Sequence, residues 1–260
     1  MELKTLLFEL EDGIATITLN RPEVLNAVSM DMRQDFVALS ERLFFDDAIR
    51  VVIFTGEGRA FSSGGDIGHF EKDWLTPSFR ANSRRLTKFF DDLEALEKPV
   101  IAAVNGPATG AGLELILACD ISIASEEATF GFRENYLSLI PGVGGCVRLV
   151  RLVGLQKAKE LIFTGKMIPA QAAHSIGLVN WIVPAEQLMN EAHDFARTLC
   201  KRAPQSLGLA KKILNIAVNV DSTSGVAMEG LAQSILIKTG DHQEGLQAFR
   251  EKRKPRFHGK

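Results

Sequence analysis

The sequence predicts an α/β fold with largely buried strands, on two observations and a contrast. Short apolar runs, Val51 to Thr55 and Val100 to Val104, have the length and residue type of strands covered on both faces. Between them lie segments whose apolar residues recur at helical spacing. From about Gln156 the strand signal fades, and the rest of the chain reads as successive helices. The strands are uneven and their connections irregular, so a regular doubly wound sheet is not demanded.

The N-terminal segment alternates Leu6, Phe8 and Leu10 with polar neighbours and then carries Asp12-Gly13, a strand followed by a hairpin turn. Ile14 to Leu19 alternates again and stops at Asn20-Arg21-Pro22. Ser29 precedes a run with Met32, Phe36, Leu39 and Leu43 on one face, the pattern of a capped helix. Leu86 to Leu96 has helical periodicity and ends before Lys98-Pro99. Gln156 to Phe163 reads as a helix stopped near Gly165, and Pro169 to Ile176 as another stopped by Gly177. Leu188, Ala192, Phe195 and Leu199 mark a third, and Ser206 to Ala248 is helical in character. The chain thus divides into an α/β body, 1–204, and a helical tail, 205–260.

At 260 residues, 46% hydrophobic and 24% charged, the chain can form one substantial core without a disulfide or metal staple. Thirty basic and 32 acidic side chains, net charge −2, argue against a nucleic-acid binder. The basic run at Lys252, Arg253, Lys254 and Arg256 reads as a solvated tail. Cys119, Cys146 and Cys200 are too far apart for a zinc site and suit a reducing compartment; Cys119 and Cys146 read as inert thiols. No apolar run reaches the length of a bilayer span, and the N-terminus does not resemble a signal peptide, so a cytoplasmic protein without membrane contact is expected.

Two glycine-rich stretches each follow a buried strand: Gly58 to Asp66, and Asn105 to Gly112 running into the apolar helix Leu113 to Ala118. Small residues at such junctions let a ligand approach the backbone, and a helix's first turn has free N–H groups. Two such turns facing one point would form an oxyanion hole from main-chain donors; taken singly, each is equally a tight turn. Neither matches a dinucleotide or phosphate-loop fingerprint. Glu114 is the one charge in its apolar stretch, so it is either on a wet face or buried with a partner. Glu134, twenty residues on, reads locally as a surface carboxylate. Sharing a pocket, the two would make an acid/base pair.

Set together, Asn20-Arg-Pro-x-x-Leu-Asn-Ala27, Ala60-Phe-Ser-x-Gly-x-Asp66, Lys98 to Gly106, Gly112-x-Glu-Leu115, Cys119-Asp-Ile121, Phe130-Gly131, Ile140-Pro-Gly-x-Gly-Gly145, Arg148-Leu149 and Glu244 to Lys254 resemble, in order and spacing, the enoyl-CoA hydratase/isomerase (crotonase) family. The resemblance runs from Ile14 to about Phe257. It implies a crotonase-like spiral of ββα repeats and a C-terminal helical trimerisation segment, giving a homotrimer or a homohexamer of paired trimers. It implies an acyl-CoA thioester substrate with coenzyme A as part of it, no permanently bound cofactor and no metal. Gly65 and Ala111 would supply the oxyanion-hole N–H groups, and Glu114 and Glu134 match the catalytic glutamates, Glu114 as base toward water and Glu134 as proton donor to Cα. Retention of both favours hydration of a 2-enoyl-CoA over double-bond isomerisation or another lyase reaction. Substrate contacts would come from Ala60, Ser63, Gly65, Asp66, Ile67, Gly110, Ala111, Pro141, Gly142 and Lys252. The acyl pocket would involve the His69 to Phe79 loop and residues near Tyr136.

The chain departs from that pattern at three places. Glu23 and Gly68 stand where many relatives have basic residues toward the nucleotide, which leaves Lys252 or Arg59 as substitutes. Ala111 replaces a common glycine, and Cys146-Val147 a usual Thr-Gln, for which no mechanistic reason is evident. A serine hydrolase of the related Clp-protease type would need a serine where Thr109 stands, and a non-catalytic relative would show loss of a glutamate.

Overall fold

The computed structural model describes residues 3–260. Its strands, in chain order, are β1 (Leu6–Glu11), β2 (Ile14–Leu19), β3 (Val51–Gly56), β4 (Val100–Val104), β5 (Ala108–Thr109), β6 (Ile121–Ser125), β7 (Thr129–Gly131), β8 (Ile168–Pro169) and β9 (Trp181–Val183). The expected hairpin is present: β1 and β2 pair antiparallel, Leu6 opposite Leu19 and Glu11 opposite Ile14. Asp12 and Gly13 both take positive φ, 49° and 80°, as a two-residue turn between right-twisted strands requires. The next strands add in parallel, giving the order β1-β2-β3-β4-β6-β9. A second, smaller sheet has the order β5-β7-β8. After β4 the chain therefore passes to the small sheet, back to the large one at β6, and across again, winding between two walls.

The helices are α1 (Met30–Phe45), α2 (Ile67–Phe70), α3 (Thr76–Ala95), α4 (Ala111–Leu117), α5 (Gly145–Val153), α6 (Leu155–Thr164), α7 (Ala170–Ser175), α8 (Leu188–Cys200), α9 (Pro204–Ala217), α10 (Ser222–Leu236) and α11 (Gly240–Glu251). Ser29 caps α1, its side chain accepting from the Met32 N–H, as the sequence indicated. Alternation along the strands separates two cores. Val52 and Phe54 face a cluster with Phe36, Phe89 and Phe90 of α1 and α3, whereas Val51 and Ile53 face Leu188, Ala192 and Ala196 of α8. Both faces of the sheet are thereby covered, which is why its strands read as continuous apolar runs.

Several elements differ from expectation, among them α3, β6 and β9. α3 begins at Thr76 rather than Leu86, because its first turns are polar and exposed; Pro77 in its first turn was the available start signal. β6 was not anticipated, and β9 lies in the stretch read as helical; at three residues β9 is too short for its alternation to register. The basic tail is partly tied down: Arg253 pairs with Glu244 and Glu251, and Asp241 accepts from the His258 and Gly259 N–H groups. Cys119 donates to the Leu115 carbonyl, and burial pushes its thiol pKa up, as for an inert sulfur. α9 is held against the body by Lys211, which bonds the Leu93 carbonyl and pairs with Asp120 at 2.7 Å.

Phe36 and Phe89 stack with ring centroids 4.5 Å apart, both nearly inaccessible to solvent. Phe36→Ala is expected to cost about 3–5 kcal/mol, from lost burial and the cavity left between α1 and α3. Chemical denaturation followed by circular dichroism reads this as a lowered midpoint.

Candidate active site

The two glycine-rich loops are stitched to each other. Phe61 and Ser62 donate their N–H groups to the Pro107 carbonyl, Thr109 N–H donates to Ser62, and the Thr109 hydroxyl donates to the Ser63 carbonyl at 2.7 Å. Gly65 and Ala111 are thereby brought to one cleft of about 1070 Å³. Among the described residues neither the Gly65 nor the Ala111 N–H has a protein acceptor. Ala111 is the first residue of α4, where an intrahelical acceptor is lacking by geometry.

Glu114 lies in the first turn of the same helix and is 2% exposed, so it is buried and not on a wet face. Its Oε1 accepts from the Val143 N–H at 2.9 Å and the Gly145 N–H at 2.8 Å. Burial pushes its pKa up to about 7; the two N–H donors oppose that rise, and the neighbouring Glu134 adds to it. Glu134, in a 3-10 turn after β7, is half-buried, not the surface carboxylate that local reading gives. Its Oε2 is buried without a protein partner, and burial raises its pKa too. Both carboxylates approach backbone so closely that only glycine fits. A Cβ at Gly110 (φ +50°) would sit 2.9 Å from Glu134 Oε1, and one at Gly145 would sit 2.8 Å from Glu114 Oε1.

The cleft is lined by Glu114, Glu134, Ala60, Ser63, Gly65, Ile67, Gly110, Ala111 and Gly142, so most of the residues singled out in the sequence meet in one place. Three do not line it. Asp66 caps α2 and pairs with Arg21 at 2.9 Å, which fixes the loop after Gly65 and holds its carboxyl below the usual range. Pro141 is buried behind Gly145, and Lys252 ends α11 on the outside of this chain. Arg59, Glu23 and Gly68 also lie off the lining. His69, Phe70 and Phe79 of the expected acyl-pocket segment do line it, as does Tyr136.

Two residues escaped the sequence reading as site residues. Arg148 donates to the Val143 carbonyl and pairs with Asp91 and Glu94, and so fixes the turn whose N–H groups hold Glu114. Arg33 lines the cleft from α1 while only 5% exposed. Its signal was a charge beside the apolar stripe of Met32 and Phe36. The serine-hydrolase alternative finds no support, since among the described residues no serine hydroxyl bonds a histidine ring. Nor, among those residues, do three His, Cys, Asp or Glu side chains gather in a metal-binding group, or any helix have the length and apolarity to cross a membrane.

Known proteins resemble this chain in sequence and fold. The short-chain-enoyl-CoA hydratase of Clostridium acetobutylicum is 41% identical over 255 residues, 98% of this chain and 97% of that one. The 2,3-dehydroadipyl-CoA hydratase of Escherichia coli is 34% identical over 258 residues, 99% of this chain and all of that one. The crystal structure of enoyl-CoA hydratase from Bacillus anthracis superposes with a TM-score of 0.94 at 37% identity, covering 99% of this chain and all of that one. The profile of the family described as enoyl-CoA hydratase/isomerase matches residues 9–260, and the chain belongs to that family.

Proposed function

We propose that this chain is an enoyl-CoA hydratase, adding water across the Cα=Cβ bond of a 2-enoyl-CoA to give the 3-hydroxyacyl-CoA. One observation carries the reading. The buried carboxyl of Glu114, oriented by two N–H groups, shares a cleft with Glu134 and with the unpartnered N–H groups of Gly65 and Ala111. The thioester carbonyl accepts from those two N–H groups. Water held between the carboxyls adds its oxygen to Cβ and yields a proton to Glu114. The π electrons move onto the thioester as an enolate, which the N–H pair stabilises. Cα then takes the proton of Glu134, and exchange returns the pair to its starting state. Coenzyme A enters and leaves as part of the substrate, so the scheme needs no resident cofactor. Isomerisation of a 3-enoyl-CoA requires one carboxylate only; two, both with raised pKa, favour hydration.

The same reading places the protein in the cytoplasm and assembles it, through residues 205–260, as a homotrimer or homohexamer. In support, no side chain of α10 is buried, and Val226, Leu231 and Ile235 stand exposed on it, with Phe249 of α11 85% exposed. An apolar surface of this kind marks an association face. Light scattering is expected to return a multiple of three chains, and Leu231→Glu to reduce it.

With crotonyl-CoA, loss of the enoyl absorbance should be fast in the wild type. It should fall by roughly 10²–10⁴-fold in both Glu114→Gln and Glu134→Gln. An unchanged rate in either variant removes that residue from the chemistry. Ala111→Pro removes one N–H at a helix position that tolerates proline, and should cost about 10²–10³-fold in kcat with helix content retained.

Activity also depends on the pair holding one proton. As pH falls through the pKa of about 7 of Glu114, its carboxyl takes up a proton and the base toward water is lost. As pH rises, both ionise and no proton donor is left, so kcat/KM is bell-shaped, with apparent values belonging to the pair. A profile flat across pH 7 counts against this assignment.

A further inference from the structure

The cleft contains a charge that the hydration scheme does not use. Arg33 lines it from α1 while only 5% exposed. Its hydrogen bond is one, to Asn82 Oδ1 at 3.2 Å, and its Nε is buried without a partner. The other buried cations are treated differently: Arg148 has Asp91 and Glu94, and Lys211 has Asp120. Arg33 joins no ion pair among the described residues. An isolated buried cation is costly, and is kept where something else supplies the anion.

His69 on α2 repeats the pattern. It is 3% exposed and lines the same cleft, packed against the rings of Phe70, Trp74 and Phe79. Neither ring nitrogen has a protein partner. Burial, with Arg33 adding to it, lowers the His69 pKa to about 4, so the ring is neutral and keeps a single N–H; Arg33 also feels the Glu114 carboxyl. Two unsatisfied donors thus lie together, within electrostatic reach of the reacting centre, with Phe70, Phe79 and Leu86 supplying apolar wall.

We propose that Arg33, assisted by His69, receives a carboxylate on the substrate's acyl group, so that the preferred substrate is a 2-enoyl-CoA carrying a second carboxylate remote from the thioester. This rests on the hydration reading and narrows it. Coenzyme A phosphates are a poor occupant, since a bulky, hydrated polyanion suits exposed cations at a rim and Arg33 is 5% exposed beside Glu114. A plain alkyl chain would fill the space and leave both donors unsatisfied. A carboxylate satisfies them with charge-assisted hydrogen bonds, for which the planar guanidinium is suited.

The test is kcat/KM for pairs of 2-enoyl-CoA thioesters of equal chain length, one ending in methyl and one in carboxylate. The wild type should favour the carboxylate member by about tenfold or more. Arg33→Met should lower its turnover about ten- to hundredfold and erase the preference, Arg33→Lys should keep part of it, and His69→Phe should weaken it less. A wild type that hydrates both members without preference, or prefers methyl at every length, overturns the carboxylate assignment and leaves hydration standing. A preference that survives in folded Arg33→Met overturns the role of Arg33. A wild type that hydrates neither member overturns both readings.

Discussion

The grip of two backbone N–H groups on one oxygen of Glu114 is the constraint around which the site is organised. A carboxylate placed in an apolar helix, 2% exposed, would be too costly to hold without a partner. The partner is the turn at Val143 to Gly145, and that turn has requirements of its own. Gly144 takes a φ of +108°, Gly145 must lack a side chain because Glu114 fills the space, and the Val143 carbonyl needs a donor. Arg148 is that donor, reaching back from the next helix while Asp91 and Glu94 of α3 balance its charge. A single buried acid therefore ties α4, α5 and α3 together.

The same helix that carries this acid carries a free donor at its start. Ala111 and Glu114 sit three positions apart in the first turn of α4, hence on one face. A ligand oxygen at the Ala111 N–H is then beside the Glu114 carboxyl without any further adjustment. Gly110 permits the close approach of Glu134 from the other wall, and the stitching of the loops brings Gly65 opposite. The placing of the two free N–H groups and Glu114 follows from loop-to-helix junctions on the adjacent parallel strands β3 and β4.

How much of this was legible in the sequence depends on the range of the interactions. The hairpin, the Ser29 cap, the strands Val51–Gly56 and Val100–Val104 and the tail helices declare themselves through local spacing and turn chemistry. Both glycine-rich loops were visible, and so was the anomaly of Glu114. That Glu134 is half-buried was not, because its burial comes from elements distant in sequence. The resemblance in motif order, more than local pattern, joined these residues into one site. β9 escaped because three residues are too few to show a period, and the start of α3 because exposed polar turns carry no hydrophobic signal. Arg33 escaped for a different reason: a long cation beside an apolar stripe usually reaches solvent with its head, and nothing local says that this one stays inside.

The two ends of the cleft are built from different materials. At one end, where the proposed reaction places the thioester, the donors are main-chain N–H groups, whose presence depends on the fold and on glycine or alanine at a few positions. At the other end, α1, α2 and α3 contribute side chains, Arg33, His69, Phe79 and Leu86. Such a division lets one scaffold keep a reaction while its acyl preference shifts, since the chemical step draws on backbone geometry and the choice of substrate on replaceable side chains. It also locates where preference must be sought in this chain. In the proposed reaction the main-chain donors recognise the thioester that all candidate substrates share, so discrimination would fall to the buried charge and rings beyond Glu114, where leaving a polar group unpaired costs more than a misplaced methylene.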